Sequence, residues 1–185
     1  MPGQVGLSAK ELDLAEALVA SRSPPGPYEC SLLASISKWK AEHWAQLASH
    51  LLPSAEAAPE VYAYLEAQRG AEPPQPWPTH CERWLQSTVS LCLRAMHQLA
   101  AVPVDLAQEL RLQARGLLAR AYGKLGSLYA STGRLTKAMT HARQGVELFN
   151  ATRDACEAAK LQLWLCRLQL RMALPQACAL FLACF

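Results

Sequence analysis

The chain has 185 residues, enough to bury a core, and 51% of them are hydrophobic while only 7% are aromatic. Leu and Ala lead, and glycine and β-branched residues are few, which is the composition of a helical protein. Seven cysteines, odd in number and never at CxxC spacing, argue against a disulfide framework and a paired-thiolate zinc site.

The net charge is +3, but it is unevenly spread. Residues 1–105 carry 7 Lys/Arg against 11 Asp/Glu, a net of −4, and residues 106–185 carry 11 against 4, a net of +7. The second half can therefore meet an acidic partner without requiring one. The thiols fit a reducing, intracellular compartment, nuclear or cytoplasmic, where a buried cysteine acts as a small hydrophobe. The start, "MPGQVGLSAKELDLAEAL", lacks the basic head and apolar run of a secretory signal. Asn150-Ala151-Thr152 is then an idle glycosylation sequon.

Ser8 with Glu11 forms a capping box that opens a first helix through about Ala20. "SRSPPGPYE" (21–29) reads as a linker. A second helix is expected from Cys30 to Leu52, with Leu32, Ile36, Trp39, Leu47 and Leu51 on its apolar side and Pro53 as its stop. A third runs from Pro59 to about Gln68, with Gly70 ending it, so 1–70 is an N-terminal helical segment. "AEPPQPWPTH" (71–80) is a second proline-rich linker, in which Trp77 reads as an exposed aromatic able to dock.

Residues 81–175 read as a helical repeat segment. Thr79 with Glu82 caps a helix to about Ala101, and Asp105 caps the next, from Leu106 to Ala130. Its stripe of Leu106, Leu110, Ala114, Leu117, Leu118, Ala121, Leu125, Leu128 and Tyr129 is spaced three or four apart. After Thr132-Gly133 the stripe resumes with Leu135, Ala138, Met139, Ala142, Val146 and Phe149. "NATRD" marks another turn, and a helix from about Ala155 to Ala173 follows, apolar on most sides in "LQLWLCRLQL". The tail 176–185 is apolar, and the uncharged stretch from Met172 is too short and too interrupted by Pro175 to cross a bilayer, which excludes a membrane partner. An uncharged apolar end normally packs on more protein, so a fragment of a longer helical array is expected.

Within "AYGKLGSLYASTGRLTKA" (121–138), Tyr122, Leu125, Gly126 and Tyr129, then Gly133 and Ala138, hold the places of a tetratricopeptide repeat, which this stretch resembles. The expected unit covers about 117–150, with Ala142, Gly145 and Asn150 departing from the pattern. Trp44, Leu47, Ala48, Leu51, Tyr64 and Ala67 lay out a fainter copy, with Glu60 where a small residue belongs. The fold class read is all-α: antiparallel helix pairs, a tetratricopeptide-like α-solenoid fragment. Residues 117–171 also resemble the erythroid differentiation-related factor family, carried by Leu125, Gly126, Tyr129, Gly145, Phe149, Asp154, Ala155, Ala158, Ala159, Arg167 and Leu168. That resemblance implies a nuclear regulator of erythroid gene expression.

In such arrays the first helix of a pair lines a groove. Here it would present Arg120, Lys124, Ser127 and Ser131, with Lys160 from the following helix, as donors for a protein or an acidic peptide segment. Catalysis is not expected, and neither is a cofactor or metal. His80, Cys81 and Glu82 are adjacent and point apart on a helix, and Cys92 and His97 miss one another's face. Nucleic acid is the alternative partner, though the basic residues do not line one helix face. Trp39, Trp44, Trp84 and Trp164 are read as core.

Overall fold

The computed structural model describes residues 9–21, 25–57 and 77–183. Among them the chain is all-α, built as packed helix pairs. The helices are α1 (Ala9–Ala20), α2 (Pro27–Ala57), α3 (Trp77–Leu99), α4 (Val104–Ser131), α5 (Leu135–Ala151) and α6 (Ala155–Ala183). None of the described helices is long and apolar enough to cross a membrane. The chain divides into two compact units, Met1–Leu118 and Ala119–Phe185, so the division falls within α4. The Ser8 cap, the Pro59–Gln68 helix, Gly70, the second half of the faint repeat copy and residues 71–76 lie outside the described residues.

Several boundaries differ from those expected, and prolines explain most of them. Pro27 sits in the first turn of α2, where its missing N–H is no loss, so Pro27–Glu29 belong to the helix rather than the linker. Pro53 does not stop α2, which runs to Ala57, nor does Pro175 stop α6, which runs to Ala183. Trp77–His80 form the first turn of α3, so Thr79 is already helical and not a cap. Asp105 likewise lies inside the first turn of α4, where its carboxylate faces the positive end of the helix dipole.

In the first unit α2 and α3 pack antiparallel: Ser37 Oγ donates to Gln98 Oε1 at 3.2 Å, and the Trp44 and Trp84 rings stack at 6.1 Å. The α2 seam is small residues, Ala34, Ser37, Ala41, Ala45 and Ala48, all buried. Facing them α3 supplies Cys81, Leu85, Thr88, Cys92, Ala95 and Leu99, also buried and repeating every seven residues. This corrects the expected apolar side of α2 in part: Ile36 is buried as expected, but Leu32 and Trp39 are exposed. Small side chains on α2 let the two backbones approach, and its bulky Leu32 and Trp39 are left exposed.

A cluster of Cys30, Ala34, Ala95, Leu99, Val102, Ala107 and Ala114 closes this core. Leu106, expected in the α4 stripe, is 76% exposed, and Ala107 is buried in its place. Arg111 caps the end of α3, donating to the carbonyls of Leu99 at 2.6 Å and Val102 at 3.2 Å. Helix α1 is held by buried Leu12 and by Lys40, which pairs with Asp13 and Glu16, while Arg94 reaches Glu16 at 2.5 Å. Burial alone would lower the Lys40 pKa, but the hydrogen bonds and charges of those two carboxylates raise it.

In the second unit the end of α4, with α5 and α6, is joined by two turns of one design. The amides of Gly133 and Arg134 return to the carbonyls of Ala130 and Tyr129, at 3.2 and 2.8 Å. Twenty residues on, Arg153 and Asp154 return to Asn150 and Phe149, at 3.2 and 3.0 Å. Both are Schellman closures, which put one residue in the left-handed region: Gly133 (φ 76°) and Arg153 (φ 60°). Thr132 and Thr152 each bond the two carbonyls three and four residues back. Asp154 Oδ1 then accepts from the Glu157 amide at 3.3 Å, capping α6.

Candidate functional site

The residues of the repeat frame do structural work between α4 and α5. Leu125, Tyr129 and Ala138 are buried. A Cβ on Gly126 would lie 3.2 Å from the Ala138 carbonyl oxygen, so this glycine sits where the two backbones close up. His141 lies between the rings of Tyr122 and Tyr129, at 5.6 and 5.2 Å and nearly parallel to both. Arg134 covers the other side of Tyr129 at 4.6 Å, and Lys137 approaches it at 5.6 Å.

The opposite side of α4 faces the start of α6 and opens a cavity of about 330 Å³. Arg120, Lys124 and Ser127 lie at i, i+4 and i+7 on α4, so they share one face and line it together. Lys160 and Glu157 enter from α6, and Phe149, Leu161 and Trp164 supply an apolar floor. Four of the five residues expected to bind a partner thus lie around one cavity. The fifth, Ser131, is not among its lining residues, and its hydroxyl donates to the Leu128 carbonyl of its own helix at 2.9 Å. Trp164, read from sequence as core, is half-buried in this wall, and Trp39 is exposed on α2, so only Trp84 of the four is fully buried.

Electrostatics make the site cationic with one acid inside. Lys160 Nζ donates to Glu157 Oε1 at 2.6 Å, and that hydrogen bond raises the lysine pKa. Lys124 moves the other way: burial first, then the charge of Arg120, lowers its pKa. Two cations pressed together beside an apolar floor are a disfavoured arrangement that a bound carboxylate relieves.

Leu161 forms the floor because Gly145 makes room for it, while Gly123 only touches it at ordinary contact distance. A Cβ on Gly123 would lie 3.7 Å from its methyls and one on Gly145 only 2.7 Å. The floor residues come from α5 and α6 and escaped sequence reasoning. The available signal was Gly145, noted as a departure from the repeat and not connected to Leu161.

Elsewhere, the adjacent His80 and Cys81 are both buried. Cys81 is fully buried, and burial pushes its thiol up to about 11, away from the thiolate a nucleophile needs. Among the described residues no three His, Cys, Asp or Glu side chains are grouped so as to hold a metal ion. Compared with models of protein families, with curated proteins and with solved structures, the chain matches none.

Proposed function

We propose that the chain is a non-catalytic helical scaffold of tetratricopeptide-like design that binds an acidic protein segment in the cavity between α4 and α6. The observation that carries this reading is the convergence of Arg120, Lys124 and Lys160 over the apolar floor of Phe149, Leu161 and Trp164. A carboxylate meets the cations while a neighbouring apolar side chain covers the floor, which is how a groove combines affinity with selectivity. The alternative, a nucleic-acid-associated regulator using the basic half, needs its cations gathered on one surface. Here Arg111 is taken up by the Leu99 and Val102 carbonyls, and Arg134 and Lys137 by the Tyr129 ring.

The resemblance of residues 117–171 would place this scaffold inside the nucleus, regulating erythroid gene expression. Imaging of the tagged chain in erythroid cells reads out that part separately. The binding test uses the whole chain against an array of acidic and neutral peptides, followed by titration of the best by fluorescence anisotropy. Arg120→Glu with Lys124→Glu should weaken an acidic peptide at least tenfold, while Arg143→Glu, away from the cavity, should leave it unchanged. Equal affinity in the double variant would remove the groove from the reading. DNA or RNA binding that falls steeply with salt and survives the reversal would favour the alternative.

A further inference from the structure

Helix α6 has two apolar faces, and among the described residues only one is covered. Ala158, Leu165 and Leu168 are buried, with Leu161 and Met172 partly so. On the other side Cys156, Ala159, Leu163, Cys166, Leu170 and Ala173 are all exposed, Leu163 by 56% and Leu170 by 63%. Their spacings are three, four, three, four and three, a seven-residue repeat. A period of 3.5 is what a helix shows when it pairs lengthwise with another helix.

We propose that this seam docks a second copy of the chain, α6 against α6, parallel and in register. The edges of the seam decide the occupant. One edge carries glutamine in successive repeats, Gln162 and Gln169, and the other carries Lys160 and Arg167. In a parallel pair each edge residue meets the opposite edge of the other copy, so Gln162 faces Arg167 of the second copy and its amide oxygen accepts from the guanidinium. No like charges meet. An antiparallel pair would set Arg167 against Arg167 across the two-fold axis, which is repulsive. A foreign acidic helix would find only neutral glutamine along one whole edge. The parallel pair stacks Leu163 on Leu163, Cys166 on Cys166 and Leu170 on Leu170, a closed two-fold interface.

The test is the solution mass of the full chain by light scattering over a concentration series, under reducing conditions. The expected result is twice the mass of one chain at tens of micromolar and above. Leu163→Glu with Leu170→Glu should return it to one chain, with helical content unchanged and a melting temperature that no longer rises with chain concentration as the wild type's does. Mild copper–phenanthroline oxidation of the wild type should give an intermolecular Cys166–Cys166 disulfide, identified by peptide mapping. Gln162→Glu, also on the surface, should tighten the dimer roughly two- to fivefold at low salt by pairing with Arg167 of the second copy. A chain that stays monomeric throughout, or a dimer that survives the double variant, overturns the seam. A dimer lacking the Cys166 cross-link and indifferent to Gln162→Glu overturns the parallel register.

Discussion

Alanine in place of glycine should move stability in opposite directions at Gly116 and Gly145. Both lie inside helices, where alanine is favoured by about 1 kcal/mol. At Gly116 an added methyl meets nothing within 4 Å, so that gain stands. At Gly145 the methyl would lie 2.7 Å from Leu161 Cδ2, 3.2 Å from the Ala119 carbonyl oxygen and 3.5 Å from the Gly123 amide nitrogen. Leu161 can rotate aside, but the other two atoms belong to the backbone of α4. Overpacking of this kind costs about 1–3 kcal/mol, so Gly145→Ala should range from neutral to about 2 kcal/mol destabilising. The two variants should therefore melt roughly 2–12 °C apart, at ~2–4 °C per kcal/mol in a chain this size. Thermal unfolding followed by circular dichroism measures the gap. Adding Leu161→Ala to Gly145→Ala removes the closest contact and should restore about 1 kcal/mol beyond additivity. If Gly145→Ala raises the melting temperature as Gly116→Ala does, or if the double variant is additive, Leu161 is not seated in the space that Gly145 leaves.

Arg153 holds a left-handed conformation that costs a side-chain-bearing residue about 1–2 kcal/mol, so Arg153→Gly should stabilise the chain by roughly 0.5–1 kcal/mol in denaturant titration, after the added entropy of the unfolded glycine. Glycine already occupies the matching place at 133, and Gly133→Ala should destabilise by a similar amount. Thiol labelling at pH 8, at concentrations low enough to keep the chain monomeric, should modify Cys156 and Cys166 quickly and reach Cys30, Cys81 and Cys92 only on unfolding. Because Cys81 titrates near 11 when folded against an ordinary 9.0, the unfolded chain ionises first, and its contribution to stability, intact below 9, should fall as pH rises towards 11. Cys81→Ala should flatten that part of the pH profile.

The helices themselves were legible because their signals are local: a run of good helix formers, a proline in a first turn, a glycine after Ser131. What prolines do in mid-helix was not. Pro53 and Pro175 carry a local penalty of about 3 kcal/mol, yet α2 and α6 both continue past them, to Ala57 and Ala183. The side of α2 that packs was misread in part. Hydrophobic periodicity weighs Leu32 and Trp39 above Ala34 and Ala41, whereas close approach selects the small residues. At the cavity, Arg120, Lys124 and Ser127 could be grouped from their spacing on one helix. Phe149, Leu161 and Trp164 could not, since only the fold brings α5 and α6 beside α4, and the amphiphilic Trp164 is apolar by composition and half-buried by position.

The two turns of the second unit bear on how quickly it forms. Each reversal is closed by hydrogen bonds that span no more than five residues, Tyr129 to Arg134 and Phe149 to Asp154, with a threonine reinforcing the same carbonyls. The contacts they create join segments close in sequence, which keeps the loop-closure entropy low and puts the unit in the range of fast-folding helical proteins, microseconds to milliseconds. The α4–α5 and α5–α6 hairpins can therefore be in place before slower, longer-range contacts are made, and the cavity wall that needs both is among the earliest features the chain can build.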